Sequence, residues 1–587
     1  MYNFTEEQNI FLKAEGNIVL QACPGSGKTT SIAKKFVQYV ENWKQPHQGV
    51  AILSFTNVAS EEVKQQVQEM ILPGFDTGYP HYLGTLDSFI NKYILLRFGY
   101  LLYPEPKRPI ISLDDLFLLP FFQWKSECYR KGCVTNISSF RWDKNGRLLY
   151  NNENIRCKKE KGAALPCEQY KKLLLKKGLI FQSETASFAY LLLKKHPNIA
   201  AAIATRFPVI IVDEAQDSSA EQMAVLDLIN QAGTKSMFLI GDPDQSIYEW
   251  RNATPKCFRD KIDSDKWRTL RLTGNFRSSQ LICNVTRFFS KSLEGTEPSK
   301  AIGSDVAYSQ EPILLLYEGN IKNNKGKIIE KFREICIEHA ITIDASHVAI
   351  VTRGRISSNR EVSGLWKSPE VKFFANASYE WMAGSRKKAY EFCEKGLFGL
   401  IIKGYKDIQD DFRVEIENCM PYEFWHSIVV ELLIKLPSAN LPLSDWVKRL
   451  IEQINKLCCQ YNLTLLKDKT IQGVIKIKKR DQKVKDFKTI PLKSYFETIN
   501  QSSYTESSVH GVKGQTYDAL MLLVGNNKGN TITSRFLCEG SLDTELMRIA
   551  YVAMTRPRKL LVIAMPKIEN QFLLSRFSIS NWEYIYV

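Results

Sequence analysis

Asp213 and Glu214 end the apolar run of "VIIVDEAQD", where adjacent carboxylates repel each other and lose hydration. Such a pair needs a cation or a proton-transfer task. A helix start accounts for the residues just after the pair, because Ser218 with Glu221 three residues on reads as a capping box. It leaves the acidic pair unexplained. The cation site stands earlier, in "ACPGSGKTT", which ends in the G-K-T of a phosphate-binding loop and carries Ala22 where the general pattern has its first glycine. Small residues there let backbone N–H groups turn toward phosphate oxygens at a helix N-terminus. Lys28 would reach the β- and γ-phosphates, and the Thr29 hydroxyl would bind Mg²⁺. Asp213 would then hold that ion through water, and Glu214 would orient and deprotonate an attacking water. Two acids with two tasks indicate hydrolysis as well as binding.

The elements that must position these groups are equally legible. "NIVLQACPGSGKTTSIAKKFVQYV" is a strand, a loop and a helix with Ile32, Phe36, Val37 and Val40 on one face. A further strand in "SMFLIGDPDQSIYEWRNA" delivers Gln245 to a position suited to sensing a γ-phosphate, and is followed by the aromatics Tyr248 and Trp250. Half-buried core packing is the plain reading of two such aromatics.

The chain has 587 residues, 44% hydrophobic and 24% charged, which fits a folded protein of roughly three to five domains at about 100–200 residues each. A net charge of +16 favours polyanionic partners. No apolar run approaches the ~18–20 residues of a membrane span, and the start lacks the plan of a secretion signal. The 13 cysteines are scattered and many lie in apolar contexts, so a reduced, cytoplasmic protein is expected. Cys128, Cys133, Cys157 and Cys167 share one region but lack paired C-x₂-C spacing, and are read as structural thiols.

An ordered series of motifs resembles the superfamily 1A helicases of the UvrD/Rep type. "FTEEQ" is similar to their Q motif, "ILSFTNVASEEV" to motif Ia and "GTLDSF" to the next strand-contact motif, with Asp87 where the family has histidine. "VDEAQD" and "GDPDQSIYEWRNA" resemble motifs II and III, and "LTGNFRSS" and "VAIVTRGRISSN" motifs IV and IVa. "SSVHGVKGQTYDAL" and "RIAYVAMTRPRKLL" resemble motifs V and VI. The resemblance implies that Gln8 reads the adenine edge, Phe276 stacks on the base, and Arg277 and Arg556 contact the γ-phosphate. Ala22, Cys23, Pro24, Gly25, Ser26, Gly27, Lys28, Thr29 and Thr30 would cradle ATP. Phe55, Thr56, Asn57, Thr85, Tyr248, Trp250 and His510 would contact single-stranded DNA. Asp87 in place of histidine would make its strand contact less attractive to phosphate. Lys513-Gly514-Gln515-Thr516-Tyr517 departs from the family's K-G-L-E-F, so an acidic contact to sugar or metal is missing or replaced.

The implied fold is α/β: two RecA-like parallel-sheet domains with two mainly helical inserted accessory domains. The first RecA-like domain is expected at 1–100 and 190–275, the second at 276–370 and 505–587, and the inserts at 101–189 and 371–504. Both inserts carry lysine-rich stretches such as "RCKKEKG" and "GVIKIKKRDQKVKDFK", which read either as a solvated face or, with the net charge of +16, as phosphate contacts. About 20 residues follow motif VI, so no C-terminal nuclease domain is expected. The implied activity is Mg²⁺- and ATP-dependent translocation on single-stranded DNA or a tailed duplex, 3′ to 5′. The rival reading is a DNA-stimulated ATPase sensor that regulates a partner nuclease. The compact layout and "HGVKGQTYDAL" are similar to the helicase-like subunit of Gabija antiphage defence, which works beside a nuclease.

Overall fold

The computed structural model describes residues 3–71, 77–103, 108–112, 140–150, 153–154, 165–249, 252–353, 369–402, 416, 419–466, 490–497, 504–525, 532–567 and 576–587. Trp250, Cys128, Cys133, Cys157 and the lysine-rich stretches around 156–162 and 473–488 lie outside them. The chain separates into two compact units, one of residues 1–117, 121–356 and 504–587, the other of 118–120 and 357–503.

The larger unit is built on two six-stranded sheets, and every strand pairing within them is parallel. The first contains β1 (Asn17–Ala22), β2 (Val50–Ser54), β3 (Tyr82–Thr85), β4 (Val209–Val212), β5 (Ser236–Gly241) and β6 (Arg268–Leu272), in the order β6-β1-β5-β4-β2-β3. The second contains β7 (Ile313–Tyr317), β8 (Val348–Thr352), β9 (Thr505–Ser508), β10 (Tyr517–Leu523), β11 (Pro557–Pro566) and β12 (Glu583–Tyr586), in the order β9-β8-β10-β11-β7-β12. Burial on both faces is why their central strands read as unbroken apolar runs rather than alternating ones. Along β4, Val209 and Ile211 face one core while Ile210 and Val212 face the other. In β10, Leu520 and Leu522 likewise pack opposite to Ala519, Met521 and Leu523.

Helix α1 (Glu6–Lys13) is capped by Thr5 and Gln8, α2 (Lys28–Glu41) follows the phosphate-type loop, and α3 (Asn57–Met70) follows β2. On α2, Ile32, Phe36, Val37 and Val40 are buried as their spacing predicts. The helix Thr185–Lys195 contributes Ala186, Phe188, Ala189, Leu192 and Leu193 to the first sheet's core, so residue 190 falls inside an element of that lobe.

The described residues of the segment 101–189 mix helices with short strands. They include the short strands Ile110–Ser112, Phe140–Trp142, Leu148–Tyr150, Glu153–Asn154 and Leu179–Phe181 beside helix Pro166–Lys176. The capping box after the acidic pair lies one residue later than its spacing predicts. A 3₁₀ turn over Ala215–Asp217 uses the extra residue, Ser219 caps helix Ala220–Gln231, and Gln222 closes the box. Glu221 is thereby freed to pair with Arg141 at 3.1 Å.

The smaller unit is helical in its described residues, with helices Pro369–Met382, Arg386–Ile401, Tyr422–Lys435 and Leu443–Tyr461. Trp425, Trp446, Leu450 and Ile454 are fully buried in it. Trp446 donates its indole N–H to Ser378 Oγ and to the Pro437 carbonyl, both at 3.1 Å, which satisfies the polar end of a large buried ring.

Candidate nucleotide and strand site

The loop Cys23–Gly27 turns from β1 into α2 with φ of +74° at both Gly25 and Gly27. These left-handed positions suit glycine, and contacts add a second reason. A Cβ on Gly25 would lie 2.5 Å from Asn275 Oδ1, and one on Gly27 would lie 2.8 Å from Gln8 Nε2. The backbone is thus bare where other side chains already crowd it. The Ser26 hydroxyl is buried with no hydrogen-bond partner among the described residues.

Around this loop opens a cleft of about 350 Å³, lined from the first lobe by Asn3, Phe4, Gln8, Gly25–Thr30 and Glu62, and from the second by Phe276, Arg277, Thr516 and Arg558. Phe276 is 37% exposed, an unpacked ring at the wall. Gln8 donates to the Ser26 carbonyl at 3.2 Å, joining the N-terminal wall to the loop. Ala22 and Cys23 do not line this cleft. They face a separate cavity of about 320 Å³ with Asp242 and Tyr551, where burial pushes the Cys23 thiol up to about 12. Pro24 is buried, and Thr30 Oγ1 donates to Gln66 at 3.4 Å.

Behind the cleft Lys28 Nζ meets Glu214 Oε1 at 2.8 Å. Burial would lower this ammonium's pKa, but Glu214 and Asp213 outweigh it and hold it above the usual range. For Glu214, burial acts upward while Lys28 and Lys513 act downward more strongly, and the carboxylate stays charged. Glu214 sits at φ +53°, a sparsely populated conformation for a side chain of its size. Its backbone N–H donates to Asp213 Oδ1 at 2.9 Å, and its Oε2 accepts from Gln216 Nε2 at 2.6 Å. Gln216 in turn accepts from the Asp242 N–H at 3.2 Å and sits where a Cβ on Gly241 would collide with it.

Asp213 has no cation at ion-pair distance among the described residues, and burial with the neighbouring Glu214 pushes its carboxyl up to about 7. Asp242 is raised to about 7 by burial and Asp244. A carboxyl whose folded pKa exceeds its unfolded value contributes stability that is complete below the unfolded pKa and is lost as pH rises through the folded one. The nucleotide-free chain should therefore lose stability between about pH 4 and pH 7. Asp213→Asn should recover on the order of 2 kcal/mol at pH 8 and little at pH 4. Thermal melting at the two pH values without divalent cation checks this; an equal gap at both would discard it.

Besides Arg558, the second lobe supplies Arg556, Arg277 and Lys513. Arg556 is buried, donating Nη2 to Gln245 Oε1 at 2.8 Å and Nε to the Val552 carbonyl at 2.9 Å. Arg277 donates Nε to Thr516 Oγ1 at 2.9 Å and Nη1 to the Thr555 carbonyl at 3.1 Å. Neither guanidinium makes an ion pair among the described residues, an arrangement that lacks an anion. Lys513 crosses from the second lobe to ion-pair with Asp217, lies 3.6 Å from Glu214, and donates to the Gln245 carbonyl at 2.9 Å. Its ammonium also lies 4.7 Å from the centre of the Tyr248 ring.

Tyr248 belongs to an aromatic row, 5.3 Å from Phe55 and 5.8 Å from His510 between ring centres. His510 Nε2 contacts the Ile247 carbonyl at 2.9 Å. Thr56 and Thr85 cap helix starts, accepting from Ala59 and Ser88 N–H at 3.2 Å, and Asn57 opens α3. Asp87 accepts from Gln222 Nε2 at 2.7 Å, so the acid that replaces histidine is tied to the helix that follows the acidic pair.

Residue spacing alone does not reveal Glu62, Thr516, Arg558 or the cross-lobe reach of Lys513. Glu62 lies one turn into α3 after "FTN", the one signal that could have exposed it. Thr516 stands at the departure in "KGQTY", where it holds Arg277 in place of any acidic contact.

Residues 3–265 match the UvrD/REP helicase N-terminal domain. The chain is 25% identical over 335 residues to Gabija protein GajB of Bacillus cereus (strain VD045), covering 54% of this chain and 57% of that protein. It is 26% identical over 403 residues to the ATP-dependent DNA helicase Rep of Buchnera aphidicola subsp. Schizaphis graminum, covering 64% and 57%. Over 298 residues it is 26% identical to the ATP-dependent DNA helicase SRS2 of Saccharomyces cerevisiae, covering 45% of this chain and 25% of that one. The matched stretches thus span little more than half of GajB and Rep, and less of SRS2. Residues 3–265 thus carry the signature of a UvrD/REP helicase N-terminal domain, and the chain as a whole is similar to ATP-dependent DNA helicases and to GajB.

Proposed function

We propose that the chain is an ATP-driven translocase on single-stranded DNA, with Mg²⁺ as cofactor and movement 3′ to 5′. One observation carries this reading beyond simple hydrolysis. The Lys513 ammonium is shared between the acids Asp217 and Glu214 and the face of Tyr248, so one side chain joins the hydrolytic centre to the aromatic row.

The residues present fit a metal-bound nucleoside triphosphate: a bare loop with a buried hydroxyl, a lysine at its end and two guanidiniums, the hydroxyl unpartnered and the guanidiniums without counter-ions among the described residues. Thr29 and Asp213 would hold Mg²⁺, which when bound supplies positive charge to the phosphate oxygens. Lys28 exchanges its Glu214 partner for phosphate, and Glu214 then accepts a proton from the attacking water. Gln245, held between Asp242 and Arg556, orients at the γ-phosphate end. Arg277 and Arg556 meet the developing charge only when the lobes close, which ties closure to nucleotide state. Phe55, Tyr248 and His510 offer stacking faces, with Trp250, Thr56, Asn57 and Thr85 beside them in sequence motifs. In this reading 1–100 and 190–275 form the first motor domain, 276–370 and 505–587 the second, and 101–189 and 371–504 the accessory inserts.

The test is ATP hydrolysis with and without single-stranded DNA, with Glu214→Gln as the blank, followed by displacement of 3′- and 5′-tailed duplexes. Stimulation and displacement from the 3′ tail are expected; displacement from the 5′ tail alone would reverse the assigned direction. Tyr248→Ala should raise the DNA concentration for half-stimulation about tenfold, since a stacked base is worth about 1–3 kcal/mol, and leave basal hydrolysis unchanged. Equal loss of both would assign Tyr248 to packing.

The similarity to GajB favours a second reading, a DNA-stimulated ATPase that regulates a partner nuclease in antiphage defence. Strong DNA-stimulated hydrolysis with no strand displacement by the isolated chain would support it over the translocase.

A further inference from the structure

Lys35 is a lysine in the interior, 2% exposed, on the buried side of α2. Its ammonium donates to the main-chain carbonyls of Phe11 at 3.1 Å, Leu12 at 3.2 Å and Ala14 at 2.8 Å. Those are carbonyls of the last turn of α1 and its cap, at the negative end of the helix dipole, and the Phe11 carbonyl also accepts from the Ala14 N–H at 3.1 Å. The same ammonium lies 4.5 Å from the centre of the Phe238 ring, 5.2 Å from that of Phe11 and 5.5 Å from that of Tyr39. Three donors meet three acceptors inside an aromatic cage. An aliphatic side chain of similar length would fill the space, yet leave all three carbonyls without this donor.

Helix α1 starts at the wall of the cleft, which Asn3, Phe4 and Gln8 line. Gln8 uses both ends of its amide there, accepting from the Thr5 N–H at 2.9 Å and donating to the Ser26 carbonyl at 3.2 Å. The fixed end of α1 therefore sets where Gln8 stands relative to the phosphate loop, and Lys35 fixes that end to the helix that begins with Lys28.

We infer that Lys35 is a positioning residue for base recognition, clamping the C-terminus of α1 so that Gln8 and its neighbours select the purine. This rests on the proposed ATP site. Its distinguishing property is that it acts on the base and not on the phosphates. Removing the clamp lets α1 shift while Lys28, Thr29 and the acidic pair keep their own supports in α2, β1 and β4.

The experiment compares KM and kcat for ATP and UTP, with tight-binding checks by calorimetry, in wild type, Lys35→Met and Gln8→Ala of the full chain. Lys35→Met should raise the ATP KM about tenfold, move the UTP KM less than twofold and leave kcat at saturation within about twofold, so the ATP preference collapses as it does in Gln8→Ala. Lys35→Arg, which keeps the cation and its donors, should restore much of the preference. Should Lys35→Met not fold, Lys35→Gln keeps two donors and should show about a threefold loss of preference. An unchanged ATP-to-UTP ratio in a folded variant, or equal loss for both nucleotides, would overturn the assignment and leave Lys35 a packing residue. Failure of the underlying ATP-site reading looks different: wild type itself would show no ATP preference, or Gln8→Ala would not alter it.

Discussion

Glu214→Gln should retain nucleotide and hydrolyse it about a thousandfold more slowly, with or without single-stranded DNA. In the proposed site the Glu214 carboxylate is charged, held in place and able to take a proton once Lys28 turns to phosphate. Burial opposes its charge, but Lys28, Lys513 and the Gln216 amide together hold it ionised. An amide at 214 keeps the shape and can still accept from Lys28, but it cannot accept a proton from water. Loss of the negative charge also frees Lys28 from its 2.8 Å ion pair, so nucleotide affinity should hold or rise. Lys28→Ala provides the contrast, because it should lose binding and turnover together. Single-turnover hydrolysis beside equilibrium binding of a fluorescent ATP analogue separates the two. Turnover within tenfold of wild type in Glu214→Gln would remove Glu214 as the base.

The parts of this site that depend on local spacing are legible in the chain itself. The Gly-Ser-Gly-Lys-Thr turn, the acids after β4 and the polar turn after β5 each sit at a strand end, and apolar runs bounded by turn residues mark such ends plainly. Contacts that join distant segments are not. Lys513 and Asp217 are 296 positions apart, and nothing in either neighbourhood names the other. The same holds for Gln216 against Gly241, where the need for glycine arises only when two strand ends lie side by side. The capping box shifts by one residue for a local reason that sequence underdetermines: "DSSAEQ" offers two serines with acceptable partners, and the 3₁₀ turn chooses between them. Asp87 in place of histidine suggests a weakened phosphate contact, whereas its carboxylate already holds Gln222, so its first effect is on the scaffold behind the acidic pair.

Arg556→Ala should lower kcat about a thousandfold, the low end of what a transition-state arginine contributes to phosphoryl transfer. Arg556→Lys should recover little, because a point charge cannot reproduce the planar fork. The guanidinium is 2% exposed and reaches Gln245 Oε1, the Val552 carbonyl and Thr555 Oγ1, all neutral acceptors. Burial pushes its pKa down to about 10 despite the attraction of Glu214, which marks a cation whose hydration has not been replaced by a close anion. That cost is recovered when an anion arrives, and the γ-phosphate end of the cleft is where Gln245 and Arg277 would bring one. The structure therefore sets function and stability against each other at this position. Arg556→Ala should leave the thermal midpoint of the nucleotide-free chain unchanged or raised, while removing the extra stability that ATP confers on wild type. Melting curves with and without a non-hydrolysable ATP analogue, read beside turnover, test both halves. A variant that melts lower yet hydrolyses normally would make Arg556 a strut for Gln245 rather than a partner of the nucleotide.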